Sequence, residues 1–204
     1  ATMVRGGVRV VRLVLDVSLV FVVIVPDLSL STSKARQVLP SEVVRESAAF
    51  NLGRLAFLIA GLADSRVLLP EATEDRLHQD YRSPLFPAAP QLLSGLSRAG
   101  ALAVCWSGAG PALLGICKGS EGAGVRAATQ EVMAETQVPG EVLLLRPDMH
   151  GLVVDKNGSG DFWKDRKPTW VGDQPEADGA PAGTTGTGGK SDDGNRFYDF
   201  DSDH

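Results

Sequence analysis

The apolar positions of this chain fall into short dense runs, separated by compact breaks, whose spacing alternates between that of strands and that of helices. Val8 to Val14 reads as a strand, although Arg9 and Arg12 interrupt strict alternation and imply an exposed face. Ser18 to Val25 is a stronger strand: leucine, valine and isoleucine dominate it, and Pro26-Asp27 stops it. A serine or threonine in Ser29 to Ser33 caps a short helix through Lys34-Ala35-Arg36, which Pro40 ends. Ser41, with Glu42 in the first turn, predicts a longer helix reaching about Leu62. Its apolar positions occupy nearly every face, and a helix apolar all round is expected to be buried.

Glu71 to Tyr81 is expected as a short helix with a polar outer face, broken by Ser83-Pro84 and Phe86-Pro87. Ala88 to Ala99 forms another helix, ending at Gly100. Ala101 to Trp106 and Ala112 to Cys117 have the length and bulk of buried strands, and Glu121 to Thr136 carries one modest helical stripe. Val142 to Leu145 and Leu152 to Val154 close the folded part as two strands. Helices alternating with mostly antiparallel strands predict an α+β sandwich of two layers, ferredoxin-like in topology.

The break between the two central strands, Ser107-Gly108-Ala109-Gly110-Pro111, is where the pattern first points to chemistry. Its glycines and proline let the backbone turn sharply with no side chain over the turn. Such a bend serves either as a tight hairpin between core strands or as a surface whose amides press against another backbone or a phosphate.

Charge changes the picture at the C-terminus. Of a net charge of −5, all is carried from Asp155 onward, where there are 11 acidic and 6 basic residues; Ala1 to Val154 has 14 of each. A neutral body without a basic stripe argues against a nucleic-acid partner. The acidic, glycine-rich stretch 155–204 reads as a disordered tail. Cys105 and Cys117 lie inside apolar runs and read as small buried hydrophobes, which fits a cytoplasmic, reducing location. The longest apolar run, Leu19 to Val25, is far short of the ~20 residues of a membrane helix, so no membrane partner is expected. His150 and His204 have no partners at metal-ligand spacing, and no metal site is expected within the chain.

Four segments, in order and at similar spacing, carry a family resemblance: PDLSLSTSKARQVLP (Pro26 to Pro40), FNLGR (Phe50 to Arg54), DRLHQDYRSPLFP (Asp75 to Pro87) and SGAGP (Ser107 to Pro111). From about Gly6 to Val154 the chain resembles the C-terminal half of the homoserine kinases, members of the GHMP family of small-molecule kinases. SGAGP alone marks only the wider family, whereas STSKAR with HQDYR favours the homoserine kinases. The resemblance implies the end of an N-terminal GHMP domain with crossover strands over 1–25, and a ferredoxin-like GHMP C-terminal domain over 26–154. It also implies transfer of the γ-phosphate of ATP, with Mg2+, to the side-chain hydroxyl of L-homoserine on the route to threonine.

Arginine presents a planar fork of donors that grips a carboxylate in two places, and an amino-acid substrate offers one. The resemblance implies that Arg36 and Arg82 hold that carboxylate; the alternative is a surface arginine beside an acidic neighbour such as Glu42 or Asp80. Thr32, one helical turn before Arg36, projects toward the same point and is either a substrate contact or a helix cap. His78 is either a donor into the same cleft or merely solvated. Asn51 and Arg54, on the helix expected to be buried, are taken to satisfy each other or nearby backbone. Ser107, Gly108, Ala109, Gly110 and Pro111 would brace the nucleotide's phosphate loop. Ala112 replaces the threonine usual after this proline, and Trp106 before the motif is bulkier than expected.

The chain contains no PxxxGLGSSAA-like phosphate loop and no GxxxxGK[ST]. No catalytic residue is assigned within it, and the main ATP and Mg2+ ligands are expected upstream of Ala1. Little activity of the chain by itself is therefore expected. A homodimer is left open. The rivals are another GHMP-type kinase and a non-catalytic ferredoxin-like ligand-binding or assembly module.

Overall fold

The computed structural model of the protein describes residues 2–4, 7–9, 11 and 13–149. Strands β1 (Thr2–Val4) and β2 (Gly7–Arg9) pair antiparallel as a short ribbon, Val4 opposite Gly7. That ribbon belongs to a different compact unit from Leu15–Gly172, which holds every other described element. The strand expected over Val8 to Val14 is thus mostly absent. Val11, Leu13 and Val14 stand 60–75% exposed, and a run interrupted by Arg12 offers no continuous face to bury.

The second unit is built on β3 (Leu19–Pro26), an unbroken apolar strand. β3 pairs antiparallel with β5 (Leu113–Lys118) on one side and with β6 (Gly140–Leu145) on the other. β4 (Ala103–Trp106) then pairs with β5, giving the sheet order β4-β5-β3-β6. With helical segments between β3 and β4 and between β5 and β6, this is the βαββαβ ferredoxin-like order. The expected fold class is the observed one.

Successive strand residues point to opposite faces. Val20, Val22 and Ile24 of β3 turn toward α4 (Ala89–Arg98) and α5 (Gly122–Glu135), where Leu92, Leu96, Val125 and Met133 complete the main core. Thr129, fully buried on α5, donates its hydroxyl to the Val125 carbonyl at 2.7 Å, so the polar group is satisfied within the helix. Leu19 faces the other way, into a smaller cluster with Leu68, Ala72, Ala103 and Ile116. Asp16 fixes the start of β3: its carboxylate accepts from Ser18 and from the Ser65 amide, and these hydrogen bonds hold its pKa well below the usual carboxylate range.

α1 (Thr32–Gln37) is capped by Ser31, whose hydroxyl accepts the Lys34 amide at 3.1 Å. α2 (Arg45–Ala63) departs from expectation twice. It starts four residues after Ser41, behind an extended Val44, with no side-chain cap. It is also not a buried helix: only Gly61 is buried, Leu58 and Leu62 lean on the smaller cluster, and Leu52, Leu55, Phe57 and Ile59 are 40–69% exposed. The helix expected over Glu71 to Tyr81 is replaced by a 3-10 turn (Pro70–Thr73), an extended link and a single turn, α3 (Gln79–Arg82), because Asp75 captures the amides that would have continued it. The expected strand Leu152 to Val154, the tail 155–204, His150 and His204 lie outside the described residues. Among the described residues no helix is long and apolar enough to cross a membrane.

One substitution should have opposite signs at two places on α2. A Cβ at Gly61 would lie 2.7 Å from the Leu68 Cα, whereas one at Gly53 meets nothing within 4 Å. Gly61→Ala is expected to lower stability by about 1–3 kcal/mol through overpacking. Gly53→Ala should raise it by about 0.5–1 kcal/mol by stiffening an exposed helical position. Urea unfolding of the two variants measures both.

Candidate functional site

Arg82 ends α3 and is 8% exposed. Its Nε donates to the Ala35 carbonyl at 3.3 Å and its Nη1 to the Gly108 carbonyl at 2.9 Å. A buried guanidinium needs such partners, because desolvating a cation without compensation is costly. Three segments distant in sequence therefore meet at one side chain: α1 through Ala35, α3, and the glycine-rich bend. Arg36 follows the fully buried Ala35 and is itself exposed, as is Thr32. Thr32 is not the helix cap, since Ser31 takes that role. Neither Arg36 nor Arg82 forms an ion pair among the described residues, with Glu42 and Asp80 included.

The start of α3 is set by Asp75, whose side chain is 4% exposed. Its carboxylate accepts the His78 amide at 2.7 Å, the Gln79 amide at 2.6 Å and Asn51 Nδ2 at 2.6 Å. Burial alone would raise the pKa of Asp75, but these donors outweigh it and hold the carboxyl below its ordinary value. Asn51 Oδ1 in turn accepts the Arg76 amide at 2.9 Å. His78 places a buried Nδ1 3.3 Å from Asp75 Oδ2 without hydrogen-bond geometry. Asn51 and Arg54 do not pair with each other: Arg54 bridges to Glu74 at 2.9 Å and lies over the Phe50 ring at 4.4 Å.

Gln79 joins α3 to the sheet. Its Nε2 donates to the Thr73 carbonyl at 2.9 Å, and its Oε1 accepts the Trp106 amide at 2.8 Å. Thr73 Oγ1 donates to the Val104 carbonyl at 2.7 Å. β4 is an edge strand, so its outward amides and carbonyls need partners from outside the sheet. Gln79 and Thr73 supply them as a neighbouring strand would. Asp75, Gln79 and Thr73 went unassigned from sequence. The available signal was an aspartate three and four residues ahead of a His-Gln pair, an arrangement that lets the carboxylate cap the turn.

The bend Ser107 to Pro111 is the hairpin connection between β4 and β5. The Ser107 amide donates to the Ala112 carbonyl at 2.9 Å and the Gly110 amide to the Ser107 carbonyl at 3.1 Å. Gly108 and Gly110 have φ of 59° and 83°, a region that favours glycine. A Cβ on Gly110 would lie 2.5 Å from the Trp106 ring, so the bulky Trp106 is the floor on which the bend rests. Trp106 is in turn held edge-on by Phe86, with ring centroids 6.3 Å apart. The amides of Gly108 and Ala109 have no main-chain acceptor among the described residues, and Gly108, like Ser107, is exposed.

Beside this network lies an open hollow of about 600 Å³, lined by Phe50, Arg54, Glu74, Arg76, Gln79 and Trp106 among others. Among the described residues there is no group of three or more His, Cys, Asp or Glu that could hold a metal ion. Cys105 and Cys117 are free thiols that burial pushes up to about 11, which leaves them unreactive packing groups.

Residues 51–135 match the family model described as GHMP kinases C terminal. The chain is also similar to homoserine kinases over part of their length. It is 40% identical to the homoserine kinase of Moorella thermoacetica over 153 residues, which is 74% of this chain and 51% of that protein. It is 49% identical to that of Solibacter usitatus over 111 residues, covering 53% of this chain and 36% of that protein. The crystal structure of homoserine kinase from Cytophaga hutchinsonii superposes with a TM-score of 0.61 at 23% identity, over 66% of this chain and 43% of that one. The chain thus spans about half the length of these relatives or less.

Asp75 yields a pH-dependent prediction. A carboxyl whose folded pKa is depressed adds stability above its unfolded value of ~3.9 and loses it as pH falls through the folded value. Asp75→Asn should therefore destabilise at pH 7 by about 1–3 kcal/mol, the cost of leaving buried donors poorly paired. The gap from the parent should narrow on acidification below pH ~4. Urea midpoints at pH 7 and pH 3 check this; a gap independent of pH would show that Asp75 is not the ionised acceptor.

Proposed function

We propose that this chain is the substrate-side portion of a homoserine kinase, which transfers the γ-phosphoryl group of ATP to the side-chain hydroxyl of L-homoserine. The observation that carries the reading is its similarity to homoserine kinases, 40% identical to one of them over 153 residues. Arg36 and Arg82 are proposed to hold the substrate carboxylate. Arg82 gives two of its five N–H donors to the Ala35 and Gly108 carbonyls, which leaves a rigid, aimed fork with donors to spare. Its bond to the Ala35 carbonyl ties it to the residue that precedes Arg36 in the chain.

In this reading Thr32 and His78 stand near the same substrate, and the bend 107–111 supports the nucleotide side through the Gly108 and Ala109 amides. The γ-phosphate cradle and the Mg2+ ligands come from the half of the kinase that the matched relatives carry and this chain does not align to. A cytoplasmic location goes with the reading.

Two measurements test it. Calorimetry on the 204-residue chain should show no micromolar ATP binding; a micromolar Kd would overturn the division of labour. The second uses a fusion of this chain to the unmatched half of the Moorella thermoacetica enzyme. There, Arg36→Ala should raise the KM for L-homoserine about 10- to 100-fold, the loss of a charge-assisted contact of about 1.5–3 kcal/mol, with the KM for ATP unchanged. An unchanged homoserine KM would point to another small alcohol as substrate.

A further inference from the structure

We propose that Gln79 is a positioning residue that makes homoserine and nucleotide binding cooperative. With Arg82 it clamps the glycine-rich bend to α3 at two points, so substrate carboxylate and nucleotide phosphates act on one rigid unit. The proposal rests on the kinase reading above and adds to it a coupling between the two sites. At the stem of the bend, Gln79 Oε1 accepts the Trp106 amide at 2.8 Å. At its tip, Arg82 Nη1 donates to the Gly108 carbonyl at 2.9 Å. Gln79 and Arg82 open and close the single turn α3, three residues apart and so on one side of it. A helical turn rises about 5 Å and two extended residues span about 7 Å, so the two side chains meet alternate residues of the opposing segment.

Each clamp holds what nothing else holds. The tip is exposed, and a Cβ placed on Gly108 would meet nothing within 4 Å. The bonds from the Ser107 amide to Ala112 and from the Gly110 amide to Ser107 shape the turn from within. Among the described residues, the hydrogen bond that ties the tip to another element is the one from Arg82. Gln79 is equally committed at the stem, because its Nε2 donates to the Thr73 carbonyl at 2.9 Å and both ends of its amide are engaged. Gly110 rests on the Trp106 ring, whose main chain Gln79 holds. One clamp would let the bend pivot against α3; two fix its orientation as well as its distance.

Coupling follows because Arg82 serves both the substrate and the bend. After Ala35 and Gly108 it retains three of its five N–H donors, enough to grip a carboxylate with two of them. A carboxylate that immobilises the guanidinium immobilises Gly108 with it, so the bend loses its freedom before the nucleotide arrives. The Gly108 and Ala109 amides, which have no main-chain acceptor among the described residues, are then already ordered when phosphates reach them. Linkage is reciprocal, so bound nucleotide raises the affinity for homoserine by the same factor. Without Gln79 the stem is free, and the bend can respond to the phosphates without moving Arg82.

The test uses the fusion of this chain to the unmatched half of the Moorella thermoacetica enzyme. Calorimetry gives the Kd for L-homoserine with and without a saturating non-hydrolysable ATP analogue and Mg2+. The analogue should tighten homoserine binding about tenfold. Gln79→Met, of similar length but without the amide, should bring that ratio to about one, whereas Gln79→Glu, which keeps an oxygen for the Trp106 amide, should retain most of it. A merely structural Gln79 would weaken homoserine binding equally with and without the analogue, so a ratio that Gln79→Met leaves at the parent's value overturns the proposal. A second measurement needs no variant. L-Homoserine alone should slow hydrogen exchange about fivefold at the Gly110 amide, which is bonded within the turn, and unchanged exchange there also overturns the proposal. A parent fusion that phosphorylates homoserine with a ratio of about one sinks the coupling alone. A fusion that binds the analogue but no homoserine sinks the kinase reading, and the coupling with it.

Discussion

A buried cation must find its hydrogen-bond acceptors in the fold, and at Arg82 that requirement draws three segments together. With Nε on the Ala35 carbonyl and Nη1 on the Gly108 carbonyl, the guanidinium satisfies two main-chain groups that belong to no regular ladder. Its planar fork fixes the angle between them, which an ammonium on a flexible stem would not. α1, α3 and the glycine-rich bend thereby acquire defined positions relative to one another without sharing a sheet or a large apolar contact. Arg36 is the next residue along α1 from the carbonyl that Arg82 holds.

That arrangement needs α3 to stay where it is, although one helical turn has almost no stability of its own. Asp75 supplies the missing nucleation by accepting two of its first amides, and Gln79 anchors it to the free edge of β4. The same contacts protect the edge strand, so the device that positions the candidate site also completes the sheet. Trp106 links the two: its amide is taken by Gln79, and its ring carries Gly110. A small residue before the bend would leave that floor open.

Much of this could be read from the chain. Dense apolar runs bounded by proline and glycine located β3, β4 and β5 to within a residue or two, because such signals are local. Hairpin chemistry at 107–111 was equally plain. What periodicity could not convey was the path between Pro70 and Arg82, where side chains compete with the helical ladder and Asp75 wins. Arg82 was recognisable as a residue of interest through family likeness, but its engagement with two carbonyls depends on long-range placement that no local pattern encodes. The same holds for Gln79, a polar residue on a short turn whose partners lie 6 and 27 positions away.

α2 shows how a pattern can be sound while the inference from it is wrong. An all-round apolar helix does report that several faces need cover, because solvent-facing helices carry a polar side. It does not report that the cover lies within the same stretch of chain. Here Leu58 and Leu62 meet the sheet, and the opposite side meets nothing described.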